Sequence, residues 1–302
     1  MLLTKIILGV LGLAVTAGAA YPAWTRMRAT QREKDARWDA HGVREGMQAF
    51  SEGAGDPVLI LVHGFASGPS VYRFMAPALA KEGFTCRVPR LPGFGERVDR
   101  MLAVTETDWR TVLAEEVARA RAGGHEVWLV GHSMGGTLAL DYAQTHPDTV
   151  RGIVLLAPLI EVSSRRSLGL PPDRLYRVAA RMLPNTTILE TAFPIDLHAA
   201  ADGIDELRDR FLPMSLYDAM FRVAHDVRAR PAAVAVPVLM VVPGSDLVVN
   251  RDATLAYYET LEANRKQLIV DKKAGHVVPL DYGWEEVVAA IDAFVGAREE
   301  LR

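Results

Sequence analysis

The sequence VWLVGHSMGGTLALDYAQTH, which covers residues 127–146, constrains the fold of this chain more than any other stretch. A continuous apolar run leads into a glycine-rich turn, and a pattern of helical spacing follows the turn. A turn this sharp brings its flanks so close together that a Cβ at Gly131 or Gly135 would clash. Gly136 lets the helix approach the neighbouring strand. The pattern therefore predicts a strand, a tight turn with Ser133 at its apex, and a helix.

Five further segments are short apolar runs bounded by glycine, proline or polar residues. They are PVLILVHGF from Pro57, FTCRVPRL from Phe84, RGIVLLAP from Arg151, VPVLMVVPG from Val236 and KQLIVDKKAGH from Lys266. Apolar runs without alternation are typical of strands that are buried on both faces of a parallel sheet. Amphipathic stretches separate them, such as DWRTVLAEEVARARAGG, in which Asp108 is expected to cap a helix. This alternation predicts an α/β fold, with a mostly parallel central sheet and helices on both faces.

The alternation stops between about residues 161 and 231, where the patterns are helical and no strand is expected. We interpret this stretch as a helical lid inserted over the sheet. The predicted organisation is a segment over residues 1–25, a linker over 26–55, and a core in two parts, 56–160 and 232–302. Apolar residues of the insertion would line a pocket or pack the insertion onto the sheet, namely Leu170, Met182, Leu183, Phe193, Phe211, Leu212, Met214, Leu216, Tyr217, Met220 and Phe221.

Ser133 at the apex of a strand-to-helix turn is a candidate nucleophile. A serine hydroxyl reacts poorly at neutral pH, so it needs a histidine base and an acid that orients the histidine. Asp246 and His276 each follow a predicted strand, and the order Ser, Asp, His is the one expected for this turn motif. Loops at the carboxyl ends of parallel strands converge above one edge of the sheet. The acids that compete with Asp246 for this role are Asp252, Asp271 and Asp281, and the histidine of the first turn, His63, is interpreted as structural.

A second motif, HGFASGPS, directly follows the first buried strand. Gly64 lets the backbone turn there, so that the amide of Phe65 can face the serine. The amide of Met134 lies at the start of the predicted helix, where developing negative charge is favoured. These two amides are predicted to form an oxyanion hole.

The composition excludes several classes of protein. Hydrophobic residues make up 50% of the chain and charged residues 24%, which is globular usage and argues against disorder. The formal net charge of −3 provides no basic surface for a phosphate backbone, so nucleic acid is not an expected partner. The single cysteine, Cys86, excludes a disulfide framework within the chain. No HExxH motif, Walker loop or dinucleotide fingerprint is present, so no metal or cofactor is expected.

The apolar segment IILGVLGLAVTAGAAYPAW runs from Ile6 to Trp24 and is long enough for a bilayer core, which needs roughly 20 apolar residues. We interpret it as an uncleaved membrane anchor. The alternatives are a signal peptide cleaved near Ala17-Gly18-Ala19, which would give an exported protein, and a buried helix. Positive charges lie mainly after the segment, which favours the cytoplasmic side for the rest of the chain.

Together these motifs resemble the α/β-hydrolase superfamily, and more narrowly the bacterial carboxylesterase and monoacylglycerol lipase group. The resemblance covers about residues 56–295 and rests on HGFASGPS, GHSMGG, PMSLYDAMF, PGSDLVV and AGHVVPLD. It implies a lidded serine hydrolase that cleaves short to medium acyl esters or monoacylglycerols, with the triad and oxyanion donors named above. The N-terminal apolar segment is not typical of that group, and HGFA stands where hormone-sensitive-lipase-like esterases have HGGG.

Other activities are compatible with the same scaffold. An aminopeptidase-like or acyltransferase enzyme would use the same nucleophile, base and acid. A binding protein without catalysis is the alternative from a different class, and the complete set of Ser, Asp and His in the expected order argues against it. The sequence does not indicate an oligomeric state.

Overall fold

A seven-stranded sheet forms the centre of the computed structural model of this protein. The structure describes residues 2–167, 169–183, 185–191, 194–200, 207–230 and 233–297, without the side chains of residues 2–17 and 19. The strands are β1 (Phe50–Glu52), β2 (Val58–Val62), β3 (Thr85–Val88), β4 (Val127–His132), β5 (Gly152–Leu156), β6 (Ile188–Glu190), β7 (Phe211–Pro213), β8 (Val238–Pro243) and β9 (Lys266–Asp271).

The central sheet has the order β1-β3-β2-β4-β5-β8-β9. Only its edge strand β1 runs antiparallel to its neighbour, and the other strands are parallel. The six strands expected from the apolar runs are all present in it. The predicted mostly parallel sheet is therefore confirmed.

Helices cover both faces of the sheet, as predicted. The α-helices of the described residues are α1 (Leu2–Asp35), α2 (Met75–Lys81), α3 (Val98–Met101), α4 (Glu106–Ala122), α5 (Met134–Thr145), α6 (Pro172–Met182), α7 (Met214–Arg228), α8 (Arg251–Glu259) and α9 (Trp284–Gly296). Helices α4, α5, α7 and α8 share one apolar core with one face of the sheet. Helices α2 and α9 share a second core with the other face. Burial on both faces explains why the central strands read as unbroken apolar runs.

The cap of helix α4 differs from the sequence prediction. The N-cap is Thr105, and Asp108 lies three residues into the helix, where it completes a capping box. The Asp108 carboxylate accepts from the backbone N–H of Thr105 at 2.8 Å. The sequence pattern located the first turn of the helix correctly. Asp108 accepts from the backbone N–H of the cap residue, however, and is not the cap itself.

The insertion between β5 and β8 contains helices α6 and α7 and two short strands. Strands β6 and β7 pair antiparallel as a separate ribbon, with Leu189 opposite Leu212. The expectation of an insertion without strands was therefore wrong. Strands of three residues are too short to show a periodicity of two in the sequence, so only the pairing of distant segments reveals them.

Helix α1 is continuous to Asp35, within the stretch predicted as a linker. Its second half packs against the protein body: Thr25 is fully buried, and Arg32 donates to the carbonyl of Arg208 in the insertion at 3.3 Å. The carboxylate of Glu33 accepts from the amide of Val98 at 2.7 Å. Among the described residues, no helix combines the length and apolar character needed to cross a membrane. The side chains of most of the predicted anchor lie outside the described residues.

Candidate active site

The turn between β4 and α5 holds Ser133 in a strained backbone conformation, with φ 54° and ψ −120°. A Cβ on Gly135 would lie 2.0 Å from the carbonyl oxygen of Val62 in β2. A Cβ on Gly131 would lie 2.3 Å from the carbonyl oxygen of Gly135. Both contacts are with backbone atoms, which cannot move aside. Glycine is therefore required at both positions, as the sequence predicted.

Backbone hydrogen bonds from neighbouring segments hold this strained turn in place. The Ser133 amide donates to the carbonyl of Leu156 at 2.9 Å. The Ser133 carbonyl accepts from the amides of Gly136 and Leu159, at 2.9 and 3.0 Å. A left-handed φ in a non-glycine residue persists only where the surroundings over-determine it, and these bonds to the end of β5 supply that constraint.

The structure brings Ser133, His276 and Asp246 into one hydrogen-bonded chain. His276 Nε2 lies 2.9 Å from Ser133 Oγ, and His276 Nδ1 lies 2.8 Å from Asp246 Oδ2. All three side chains are buried. Because a carboxylate only accepts, Nδ1 carries the proton of the neutral imidazole and Nε2 is free to accept the proton of the serine hydroxyl. The arrangement can transfer the serine proton to the histidine.

The second oxygen of Asp246 fixes the orientation of its carboxylate. Asp246 Oδ1 accepts from the amides of Val248 and Val249, each at 2.7 Å. Burial alone would raise the pKa of Asp246, but the neighbouring His276 and these two amides hold the pKa below its usual value. Asp246 therefore stays charged beside the imidazole. Of the competing acids, Asp271 and Asp281 bond amides of the His276 loop, and Asp252 lies in the first turn of α8.

His132, next to Ser133 in the chain, also contacts the loop that carries His276. Its Nε2 lies 2.9 Å from the carbonyl oxygen of His276, so Nε2 carries the proton and donates it. Burial and the nearby His276 lower the pKa of His132 to about 3. A neutral His132 thus links the serine turn to the backbone of His276 without adding a positive charge.

The loop after β2 passes directly beside the serine. A Cβ on Gly64 would lie 3.0 Å from Ser133 Cβ, and Ala66 adopts a φ of 58°. The ring of Phe65 packs against Tyr217 of α7, with ring centroids 4.8 Å apart. Met134 is the first residue of helix α5. Both predicted oxyanion residues therefore lie close to Ser133. Met134 follows it in the chain, and Phe65 belongs to the loop that passes beside it.

His63 has the structural role predicted for it. The amide of Leu91 donates to His63 Nε2 at 3.0 Å, so Nδ1 carries the proton and donates to the carbonyl of Gly64 at 2.9 Å. Burial, together with the positive charge of Arg90, lowers the pKa of His63 to about 4. The neutral ring uses both nitrogens to tie the first loop to the segment after β3.

An apolar cavity of about 400 Å³ opens at Ser133 and His276. Its lining combines the first loop, the ends of the central strands and the insertion; apolar side chains include Phe65, Val71, Leu159, Val162, Leu189, Tyr217, Met220 and Val248. Tyr217 and Met220 thus line a pocket as expected. Leu212 and Leu216 are buried in the core instead, Leu170 and Met182 are exposed, and Phe193 lies outside the described residues.

A larger cavity, of about 520 Å³, lies between α4, α5 and α7, away from the serine. Its charged groups neutralise each other: Arg110 pairs with Asp141 and Asp226, and Arg230 pairs with Asp141. Arginine and aspartate side chains that are paired with each other are not available to bind or activate a ligand. Within the described ranges, no group of three or more His, Cys, Asp or Glu is arranged to hold a metal ion.

Sequence reasoning missed the role of Asp196, which lies in the insertion. Its carboxylate accepts hydrogen bonds from backbone amides on both the Asp246 loop and the His276 loop. The motif-free stretch around residue 196 carries no signal that would have marked it, because its contacts depend on how the insertion folds back over the sheet.

The chain is similar in sequence to known hydrolases. The sequence model of the serine aminopeptidase S33 family, Hydrolase_4, matches residues 54–282. The chain is 26% identical over 244 residues to a thermostable monoacylglycerol lipase of Bacillus sp. strain H-257, across 81% of this chain and 92% of the relative. It is 24% identical over 235 residues to a carboxylesterase of Bacillus subtilis strain 168, across 77% of this chain and 89% of the relative.

Solved structures show the same fold. A structure reported for the metagenome-derived lipolytic enzymes LipS and LipT superposes with a TM-score of 0.72 at 22% sequence identity. The match covers 84% of this chain and 99% of that chain. The arrangement of sheet and helices is therefore that of the α/β-hydrolases.

Because His63 is buried and neutral, we predict that the folded protein loses stability as the pH falls. The unfolded chain protonates this histidine below pH 6.5 and the folded protein only below about 4, so the unfolded state binds more protons between these values. His63 alone should lower the free energy of unfolding by about 2 kcal/mol between pH 7 and pH 5. Urea unfolding at the two pH values measures this change. His63→Gln, whose amide oxygen can accept from Leu91, should show a smaller loss; an equal loss in both proteins would contradict the prediction.

Proposed function

Because the chain belongs to the serine aminopeptidase S33 family and has the α/β-hydrolase fold, we propose that it hydrolyses carboxylic esters of short to medium acyl chains or monoacylglycerols. The observation that carries this proposal is the hydrogen-bonded chain of Ser133, His276 and Asp246 at an apolar cavity of about 400 Å³. A cavity of this volume is within the range of small-molecule sites.

In the first half of the proposed reaction, Ser133 Oγ attacks the ester carbonyl carbon while His276 Nε2 takes the hydroxyl proton. The negative Asp246 stabilises the imidazolium that forms. The amides of Phe65 and Met134 donate to the oxyanion of the tetrahedral intermediate, and one such donor typically contributes roughly 3 kcal/mol to transition-state stability. His276 then protonates the leaving alcohol oxygen, which leaves an acyl-enzyme.

In the second half, water attacks the acyl carbon of the ester with Ser133 while His276 Nε2 accepts a water proton. The second tetrahedral intermediate collapses, the carboxylic acid is formed, and the proton returns to Ser133 Oγ. The insertion acts as the lid that closes the apolar cavity over the acyl chain. Exclusion of water strengthens the electrostatic interactions at the oxyanion.

The description of the family favours one second candidate, cleavage of an amide at the amino end of a peptide. The same nucleophile and base would serve, with an amine as the leaving group. The predominantly apolar lining of the cavity favours an acyl chain over a charged peptide terminus. Aminoacyl p-nitroanilides tested beside esters separate the two activities.

A series of p-nitrophenyl esters from acetate to palmitate tests the proposal. The full chain is the appropriate enzyme, because Thr25 and Arg32 of α1 pack against the body. We expect a rate optimum at short to medium chains, and a decrease in kcat of at least ~10³-fold for Ser133→Ala. Asp252→Asn, which changes a carboxylate outside the site, is the matched control. Equal activity of Ser133→Ala and the parent would refute the role of the serine.

Attachment to a membrane stays a prediction from the apolar run of residues 6–24, and so does a cytoplasmic position of the enzyme. An uncleaved anchor would leave the chain at full mass in the membrane pellet after carbonate extraction. A mass that corresponds to cleavage near Ala17-Gly18-Ala19 would instead establish an exported protein. Recovery of the full-length chain in the supernatant would contradict both.

A further inference from the structure

Part of the insertion, residues 195–199, is bonded to the loop that carries His276. The carbonyl of Asp196 accepts from the amide of Val277 at 3.2 Å. The amides of His198 and Ala199 donate to the carboxylate of Asp281, at 2.9 and 2.8 Å. Hydrogen bonds to the backbone and to a side chain of the histidine loop therefore hold this segment of the insertion in place.

The side chain of Asp196 adds a second connection, to the loop of the catalytic acid. Asp196 Oδ2 accepts from the amide of Leu247 at 2.8 Å and from the amide of His276 at 3.2 Å. Leu247 directly follows Asp246 in the chain. One carboxylate oxygen therefore holds the backbone beside the acid and the backbone of the base at a fixed separation.

The position of Asp196 leaves little freedom to these contacts. The residue is only 5% exposed. A Cβ on Gly275 would lie 2.9 Å from the Asp196 carbonyl oxygen, so the two segments are in close contact. A displacement of Asp196 must therefore move the histidine loop or open a gap beside it.

Arg166, also from the insertion, offsets the buried charge of Asp196. Its Nη2 lies 4.0 Å from Asp196 Oδ1, and its Nη1 donates to the carbonyl of Pro194 at 2.9 Å. A buried carboxylate is tolerated where a positive group and hydrogen-bond donors surround it. The insertion thus brings both the carboxylate and the cation that stabilises it.

We propose that Asp196 is a positioning residue that aligns His276 with Asp246 and so makes the insertion part of the support of the triad. The proposal rests on the proposed function, because it assumes that Ser133 is activated by this pair. Loss of the two hydrogen bonds leaves the amides of Leu247 and His276 without this acceptor and allows the loops to separate. A misplacement of the order of 1 Å can reduce the rate of an enzyme about 10²-fold.

The test compares Asp196→Ala, Asp196→Asn and Asp196→Glu in the full chain. The alanine variant should lose about 30- to 100-fold in kcat with KM changed less than threefold. The asparagine variant retains an oxygen acceptor at the same distance from the backbone and should recover to within about tenfold of the parent. The glutamate variant keeps the charge but displaces the oxygen by one methylene, so it should be slower than the asparagine variant.

Asp141→Ala is the matched control, since Asp141 is a buried carboxylate with arginine partners away from the triad. It should lower the Tm and leave kcat unchanged. If Asp196→Ala also lowers only the Tm, or if Asp141→Ala lowers kcat to the same extent, the positioning role is refuted. Should the alanine variant not fold, a glutamate variant as fast as the asparagine variant would equally refute it.

The rate at which a fluorophosphonate labels Ser133 separates this proposal from the choice of substrate. Labelling requires an activated serine but no particular ester. If the parent is labelled but hydrolyses no ester, the proposed substrate is wrong. The positioning role of Asp196 is then tested by the labelling rates of its variants, which should follow the order given for kcat. If the parent does not label, both proposals fail.

Discussion

The close approach of the β4-to-α5 turn to the backbone of β2 is the constraint on which the rest of the site depends. No Cβ fits at Gly131 or Gly135, so the turn packs directly on the main chain of its neighbours. At this contact Ser133 adopts a left-handed φ of 54°. The strain is sustained by bonds to Leu156 and Leu159 at the end of the adjacent strand.

Parallel strands then determine where the partners of the serine can come from. The carboxyl ends of β2, β4, β5, β8 and β9 lie at one edge, so the loops that follow them meet there. Hydrogen bonds between loops set the final geometry: His132 holds the carbonyl of His276, and Asp196 holds its amide. His276 is thus held through both its backbone N–H and its backbone carbonyl, by the insertion and by the serine turn respectively.

The sequence predicted the elements whose signals are local. Buried strands, the serine turn and the order of Ser133, Asp246 and His276 each depend on a few consecutive residues. The strands of the insertion could not be predicted, because three-residue strands acquire stability only from pairing across a long loop. Asp196 was missed for a related reason. An aspartate without a motif becomes significant only when the fold brings two distant amides to it.

Helix α1, which lies outside the central sheet, is also hydrogen-bonded to the insertion. Arg32 of α1 bonds the carbonyl of Arg208, and the hydroxyl of Tyr21 accepts from the amide of Glu190 at 3.4 Å. Both partners lie in the insertion and line the cavity beside the serine. Because the insertion also holds the loops of His276 and Asp246 through Asp196, the helix, the insertion and the base form one connected set of contacts. Hydrogen bonds therefore connect the N-terminal helix to residues that line the cavity.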